Sequence, residues 1–379
     1  MPAALHLFWW LILGGFVAAI AILIGGELGL AALLPYLAKN ENERRSILAR
    51  TPSPISGHVV WLVLLGGAVV GAWWPLFHAT LFSGLWLVLL FIIVGVLVGP
   101  IGHGYRTLVA ERRHGAWDGL WGLASLASLL VMGIGVGTTI SGVPLHFDAN
   151  MNPLWGGFAA RFTPYEVLVP GLLAVALGIF LAAARVAGGT EDVIAERAHK
   201  LLLPAGVLAL LIFIGGAIWA TQLTGYAVGY TSSVQALTDP LHGTTFAVSG
   251  AYLEQFLGQY PQLTLLGRWP LLIVPIFAGV SLLVALFFSW RGPRSRVWPL
   301  VVMAVVGVVA TAGATTYPVI LPSTSVPAQS LTLWNAAMPT PVLVAYLVWL
   351  GVLIPAALIW EIWSRRREAS AARLATPGS

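Results

Sequence analysis

The stretch LFWWLILGGFVAAIAILIGGELGLAALLPYL, from Leu7 to Leu37, is apolar and long enough to cross a bilayer. About 20 apolar residues span a hydrocarbon layer of about 30 Å, so this helix is long enough to tilt or to project beyond it. Glu27 is the only charged side chain in the first 38 residues. A carboxylate at membrane depth costs roughly 2.5–3.5 kcal/mol on insertion scales, so it usually faces a wet cavity, a partner or a proton path.

The composition indicates an all-α integral membrane protein. Hydrophobic residues make up 58% of the chain and charged residues only 9%, against roughly 25% charged in soluble domains. The absence of cysteine excludes disulfides, thiolate metal sites and cysteine nucleophiles. No phosphate-binding glycine loop, paired-histidine zinc motif or nucleophile elbow is present. Any chemistry must therefore come from polar groups at membrane depth.

Apolar runs recur and predict one integral membrane domain over 1–379 with about nine transmembrane helices. The expected spans are about 7–37, 58–76, 80–101, 118–140, 165–187, 201–222, 269–290, 297–317 and 341–363, followed by a basic cytoplasmic tail over 364–379.

The distribution of positive charge predicts the orientation of these spans. Of the 19 Lys and Arg residues, all but Arg161 and Arg268 lie in alternate loops or in the tail, on one side of the membrane. Lys and Arg accumulate on the cytoplasmic side, so the N-terminus is expected outside and the C-terminus inside. The first run has no basic segment before it and is expected to stay as a helix rather than be cleaved. The long outer loops, about 141–164, 223–268 and 318–340, are expected to form ordered caps.

Glu27 is the first candidate for a functional role. Gly25, Gly26 and Gly29 surround it and allow another helix to approach closely. Its carboxyl group is either protonated and hydrogen-bonded between helices, or part of a proton relay or an essential contact between subunits.

Four further polar residues fall near the cytoplasmic ends of the second, third and fourth spans: Ser56, His58, His103 and Asp118. Together they could line one polar vestibule. A histidine there titrates near neutral pH and can pass protons, although a helix-end histidine is also commonly a wetted cap. A carboxylate such as Asp118 also interacts well with the dipole at a helix N-terminus.

The histidines do not predict a haem site in this chain. Haem iron in a membrane needs axial His, Met, Cys or Tyr ligands, and none of the eight histidines is centred in an expected span. We therefore expect no haem and no metal to be bound directly. Many of the 17 tryptophans lie near predicted membrane interfaces and are best interpreted as anchors.

Seven segments in order along the chain resemble subunit II of the cytochrome bd-type quinol oxidases, including the cyanide-insensitive branch. They are GGELGLAALLPYL (Gly25 to Leu37), NENERR (Asn40 to Arg45), VVWLVLLGGAVVGAWWPLFHATLFSGLW (Val59 to Trp86), GPIGHGYR (Gly99 to Arg106), Trp117 with Asp118, SGVPLHFD (Ser141 to Asp148) and YPVILPSTSVPAQSLTLWNA (Tyr317 to Ala336).

The resemblance implies a haem-free subunit in the bacterial cytoplasmic (inner) membrane. It would pair with a larger subunit I that holds two b-type haems, one d-type haem and the quinol-oxidising loop. The pair oxidises quinol, reduces oxygen to water and takes protons from the cytoplasm. This chain would stabilise its partner and help to form a proton route. Quinol and lipid contacts, a structural quinone and small single-span accessory subunits are compatible with the resemblance; a nucleic-acid partner is not.

The resemblance also assigns roles to individual positions. Glu27 occupies a family acidic position that is usually Asp, and Asp118 keeps the family's Trp-Asp pair. In the last outer loop, Asn335 replaces a frequent Asp.

Three departures affect the expected proton route. Ser56 stands where the family usually has Asp, and Gly99 and Gly104 replace the Arg and Asp that flank a Pro-x-Gly turn. His58 and His103 are close by in sequence and could substitute for the missing carboxylates through water.

Two other functions remain open at this point. In a proton-coupled secondary transporter, Glu27 would bind the coupling proton within a first helix broken beside Gly25 and Gly26. In a purely structural assembly subunit, Glu27 and the vestibule would be incidental. Co-purification with a haem-bearing partner would distinguish an oxidase subunit from a transporter.

Overall fold

The computed structural model describes residues 2–50, 58–91, 93–94, 97, 108, 110–157, 164–189, 192–220, 225–229, 244–248 and 273–375, and within these ranges the chain is mainly helical. The helices are α1 (Pro2–Leu37), α2 (Glu41–Arg50), α3 (His58–Ala72), α4 (Trp74–Ala79), α5 (helical residues 86–91, 93–94 and 97), α6 (His114–Ser141), α7 (Pro164–Gly189), α8 (Val193–Ala220), α9 (Ile273–Arg291), α10 (Val297–Thr316) and α11 (Thr340–Ala375).

Six described helices are long and apolar enough to cross a membrane: Ala4–Leu37, His114–Ser141, Leu168–Gly189, Val193–Trp219, Ile273–Arg291 and Arg294–Thr316. They coincide with six of the expected spans. Helices suit this setting because each backbone N–H and C=O is satisfied within the segment. The last expected span, 341–363, falls within α11, whose apolar part Thr340–Ala356 is shorter.

The second and third expected spans differ from the structure at their junction. The helical segment Leu65–Ala72 meets Trp74–Gly84 at 83°, and a π-helical turn, Thr80–Gly84, leads into α5. Trp73 at the bend is fully buried, and its Nε1 donates a hydrogen bond to the carbonyl of Trp9. Leu76 N donates to the carbonyl of Ala336 instead of within its own helix. Tertiary hydrogen bonds thus end the helix at Ala72, four residues before the expected end of the second span at position 76. The total of nine spans remains a prediction.

Three two-stranded antiparallel sheets close one end of the bundle: β1 (Leu145–Phe147) with β2 (Pro153–Trp155), β3 (Gly225–Gly229) with β4 (Thr244–Val248), and β5 (Val319–Leu321) with β6 (Leu331–Thr332). The first and third are joined by a bridge between Val143 and Ser323. The side chain of Gln329 also accepts from the N–H of Phe147 and donates to its carbonyl. This end is called the sheet side, and the opposite end, where α1 leads into α2, the α2 side.

Among the described residues, two large hydrophobic clusters and two smaller ones hold the elements together. The largest lies between α1, α6, α7, α8, α9 and α10. The second large cluster lies near the sheet side, where Trp9, Trp73, Leu321 and Leu343 are fully buried or nearly so. Many large apolar side chains face outward, Leu211, Ile218 and Phe287 among them. Such a surface is unusual for a soluble monomer and suits contact with lipid or with a partner.

Candidate functional site

Small residues on α1 and α7 bring Glu27 into a close-packed part of the bundle. A Cβ atom at Gly29 would overlap the carbonyl oxygen of Gly178 and would lie 3.2 Å from the Cβ of Ala182. A Cβ at Gly25 would lie 3.8 Å from a methyl group of Leu129 on α6. Glycine is therefore needed at position 29 so that the backbones of α1 and α7 can approach each other.

Glu27 lies on the opposite side of α1 from α7. Successive residues of an α-helix are about 100° apart, so Glu27 is about 160° around α1 from Gly29. Its Oε1 atom is buried, whereas the residue as a whole is only partly buried. The carboxyl group therefore belongs to the edge of α1 that is turned away from α7.

The start of α3 lies at a similar depth. A Cβ at Gly66 on α3 would lie 3.1 Å from Cζ of Phe16 on α1, which fixes the register of these two helices. Eight residues back along α3 is His58, and eight residues forward along α1 is Ile24. At 1.5 Å per residue, the backbone of His58 is thus within about one helical turn of Glu27 in depth. Only the backbone of His58 is described, and Ser56, His103, Gly99 and Gly104 lie outside the described residues.

Asp118 forms an ion pair at the α2 side of the bundle. Its side chain is fully buried, and Oδ2 lies 3.1 Å from Nε of Arg44 on α2. One of the two interpretations of Asp118 was a carboxylate at a helix N-terminus, but α6 begins at His114 and has no acidic residue in its first turn. Asp118 belongs to the second turn, beyond the reach of most of the dipole effect. A guanidinium from another helix is thus one of its partners.

Two further contacts attach α2 to its neighbours. His114 Nδ1 at the start of α6 lies 3.5 Å from Oε2 of Glu41. Arg197 on α8 donates from Nη1 to Oε2 of Glu43 at 2.6 Å and to the carbonyl of Leu37 at 2.7 Å. Two hydrogen bonds hold the pKa of Glu43 below its ordinary value of 4.5. The larger effect comes from the Arg197 guanidinium and the next from the backbone N–H of Lys39.

α2 thus acts as a short strap across the ends of α1, α6 and α8. This strap could not be predicted from the sequence, because the sequence does not determine which helix ends the charged side chains of α2 will contact. The available signal was the dense mixture of charges in NENERR immediately after an apolar run. Such a segment must lie outside the hydrocarbon layer and can pair with other helix ends there.

The structure does not place Asp118 and Glu27 at the same depth. A Cβ at Gly122 would lie 3.2 Å from the carbonyl oxygen of Ala31, so Gly122 on α6 lies opposite this part of α1. Since α1 and α6 run antiparallel, position 27 lies opposite about position 126. Asp118 is about 12 Å farther along α6, toward the α2 side. Asp118, one of the expected vestibule residues, is therefore clearly separated in depth from Glu27.

Other expected residues have local structural roles. Asn335 accepts a hydrogen bond at Oδ1 from Thr332 N and donates from Nδ2 to the carbonyl of Ser330. These bonds stabilise the turn after β6 and use both the oxygen and the nitrogen of the amide, which a carboxylate could not do.

The first helix is continuous through Gly25 and Gly26, so it lacks the break that a transporter site would require.

The described histidine side chains lie on five different elements. His6 and His114 lie close to helix ends, His78 is in ring contact with Trp74, His146 is on β1, and His199 is on α8. Within the described ranges, no three His, Asp or Glu side chains come together as ligands for a metal ion.

Comparison with known proteins gives a consistent result. The sequence profile of cytochrome bd terminal oxidase subunit II matches residues 5–366. The probable cytochrome oxidase subunit 2 of Haemophilus influenzae is 27% identical over 95% of this chain and 93% of its own length. The cytochrome bd-I ubiquinol oxidase subunit 2 of Escherichia coli is 26% identical with the same coverage.

A solved structure shares the fold. A chain of the bd oxidase from Geobacillus thermodenitrificans superposes with a TM-score of 0.62 over 97% of this chain and 98% of its own, at 14% sequence identity.

Proposed function

Because this chain belongs to the cytochrome bd terminal oxidase subunit II family, we propose that it is the haem-free subunit of a quinol:oxygen oxidoreductase. Its roles are to stabilise a haem-bearing subunit I and to contribute to the uptake of protons for the reduction of oxygen to water. The complex lies in the bacterial cytoplasmic membrane, with the α2 side facing the cytoplasm. Quinol oxidation and oxygen reduction take place in subunit I.

The observation that carries the proton role is the position of Glu27. It is an ionisable side chain with a buried Oε1 atom, about ten residues before the end of a 36-residue apolar helix. The small residues that surround it on the α7 side leave its carboxyl group on the other edge of α1. An ionisable residue at this depth is expensive and usually functional. A carboxyl group there can accept a proton from the α2 side and release it toward the partner.

Subunit I would supply the redox chemistry. The haems, when bound there, transfer electrons from quinol to oxygen. The residues of this chain only hold, orient and transfer protons, and the haems are assigned to the partner because of the family to which this chain belongs. A structural quinone and small accessory subunits are compatible with this function, and no described residue points to either.

A purely structural subunit is the alternative that the geometry keeps open. The α2 strap and the close contact between Gly29 and Gly178 are both devices for rigidity. A scaffold needs these contacts but does not need a carboxyl group at position 27.

Two measurements test the proposal. The chain is expressed with and without a candidate subunit I, a multi-span protein with His and Met haem ligands, and each sample is purified through a tag on this chain. We expect b-type and d-type haem signals in reduced-minus-oxidised spectra, and quinol oxidase activity, only when the partner is present. A stoichiometric haem signal from this chain alone, or purification of an intact partner without it, would contradict the proposal.

A further inference from the structure

The turn between α9 and α10 carries three arginines close together, Arg291, Arg294 and Arg296. It lies at the α2 side of the bundle, where a Cβ at Gly188 near the end of α7 would be 3.2 Å from the carbonyl oxygen of Arg294. No Asp or Glu occurs between positions 255 and 360. The first turn of α10 also has no acidic residue, so the positive end of its dipole adds to the charge of the arginines.

Other arginines at the same end of the bundle are compensated by carboxylates. The pairs are Arg44 with Asp118, Arg45 with Glu41 and Arg197 with Glu43. Within the described ranges, no ion pair joins an arginine of the α9–α10 turn to a carboxylate. The excess of basic residues at a cytoplasmic face explains why arginines occur here, but it does not explain why these three lack such partners. In the described part of the chain, their charge is left for an external anion.

Aromatic rings support two of these arginines at the depth of the membrane surface. Cζ of Arg291 lies 4.2 Å from the centre of the Trp290 ring, and Cζ of Arg296 lies 5.7 Å from the centre of the Phe288 ring. Stacking uses the face of a guanidinium and leaves the N–H groups at its edge free to bind a phosphate. Trp290 is exposed, and exposed tryptophans favour the boundary between hydrocarbon and headgroups.

An exposed apolar stripe on α9 leads away from this turn into the bilayer. Val280, Leu283, Phe287 and Trp290 are each more than half exposed, and their spacing of three and four residues places them on one face of the helix. At 1.5 Å per residue the stripe is about 15 Å long, about half of the hydrocarbon layer. Cationic groups at a membrane surface thus adjoin an apolar surface as deep as one leaflet.

We propose that the α9–α10 turn binds an anionic phospholipid. Its phosphodiester contacts the guanidinium groups of Arg291, Arg294 and Arg296, and an acyl chain lies along the stripe on α9. Anionic lipids are the fitting class because basic clusters at membrane depth attract their headgroups, whereas a zwitterionic headgroup brings its own cation. A free phosphate would satisfy the charge but not the apolar stripe. The inference needs only the membrane-spanning fold and does not depend on the oxidase role.

Thermal melts of the delipidated complex with subunit I, in detergent, test the charge recognition. Dioleoyl phosphatidylglycerol should raise the melting temperature by several degrees more than dioleoyl phosphatidylcholine, because a ligand that binds only the folded state stabilises it. The double variant Arg291→Gln with Arg296→Gln should lose most of this difference. Arg112→Gln with Arg113→Gln is the matched control and should keep it, since it removes the same charge from exposed positions at the α2 side, next to Glu111.

Three results of the melts would overturn the lipid site: an equal rise with phosphatidylcholine, an equal rise with inorganic phosphate alone, or a full difference in the Arg291 and Arg296 double variant.

Photocrosslinking of the unmodified complex tests the site even if the double variant does not fold. Phosphatidylglycerol with a diazirine on its acyl chain should label peptides from 280–298 several-fold more than phosphatidylcholine with the same diazirine. Equal labelling by the two lipids would also overturn the site. Neither measurement uses turnover, so both outcomes are separate from the test of the proposed function.

Discussion

Arg44 Nε lies 3.1 Å from Oδ2 of Asp118, and this contact links a charged strap helix to a fully buried carboxylate. Removing one member of a buried ion pair destabilises a protein by about 3–5 kcal/mol, because the remaining buried charge is less well compensated. We therefore expect Arg44→Met to lower the melting temperature of the chain markedly. Arg45→Met is the control, since Arg45 pairs with Glu41 at an exposed position.

The double variant Arg44→Met with Asp118→Leu removes both charges. It should recover much of the stability lost in Arg44→Met, because the buried carboxylate is removed together with the cation that compensates it. Additive losses in the thermal melts would mean that the two residues act independently.

A second prediction concerns the helix contact at Gly29. Gly29→Ala places a methyl group against the backbone of Gly178, which leaves little room for it to move aside. Overpacking of this kind costs about 1–3 kcal/mol, so thermal unfolding in detergent should begin at a lower temperature. A Cβ at Gly15 on the same helix meets no atom within 4 Å, and Gly15→Ala should leave the unfolding curve of the isolated chain unchanged. Equal effects would show that α1 and α7 are not held at this distance.

A third prediction follows from the lowered pKa of Glu43. A carboxyl group with a lowered pKa in the folded state stabilises that state above its ordinary value, and the stabilisation is lost as pH falls below it. We expect the melting temperatures of the wild type and Glu43→Gln to differ near neutral pH and to converge below about pH 4.5. Glu196→Gln, at an exposed pair with Lys200, is the control. A difference that persists at acid pH would assign the effect to packing rather than to charge.

The fourth prediction is that Glu27 acts through its protonatable group. Glu27→Gln keeps the size and the hydrogen-bonding capacity but cannot carry a proton. Oxygen consumption with quinol should fall clearly, while the complex still assembles with its full haem content. If Glu27→Gln turns over normally and only Glu27→Ala fails, the side chain contributes packing and hydrogen bonds, and the relay role is lost.

The fifth prediction concerns His58 and the missing carboxylates at positions 56, 99 and 104. A serine hydroxyl can relay a proton but cannot store one near neutral pH, whereas an imidazole can. His58→Ala should therefore slow turnover most at high pH, where protons are scarce, and adding Ser56→Asp should partly restore it. Oxygen consumption from about pH 6 to about pH 9 measures both effects. Identical pH profiles would mean that protons enter elsewhere, for example through subunit I.

The sequence predicted the helices better than it predicted their contacts. Long apolar runs identify spanning helices because their periodicity and length are local properties, and Glu27 is conspicuous as the only charge in its run. The early end of α3 at Ala72 could not be predicted, since it depends on hydrogen bonds to Trp9 and Ala336, which are distant in sequence.

The different environments of two serines on α6 could not be predicted for a related reason. Ser125 and Ser128 are the same residue type three positions apart, and only the structure shows that the Ser128 hydroxyl is satisfied by its own helix and the Ser125 hydroxyl is not. In the same way, the sequence could not show that Asp118 pairs with Arg44, which lies in another helix.

The contacts at the sheet side also set an order of events during synthesis. Trp9 Nε1 donates to the carbonyl of Leu343, and Val143 bridges to Ser323, so early segments are held by segments that leave the ribosome last. The first helix can enter the bilayer promptly, but its sheet-side end cannot reach its final packing until nearly the whole polypeptide has been translated. Until then, apolar groups such as Trp9 and Trp73 lack their native cover. A chain truncated before residue 319 should for that reason insert and still be degraded rapidly by membrane proteases.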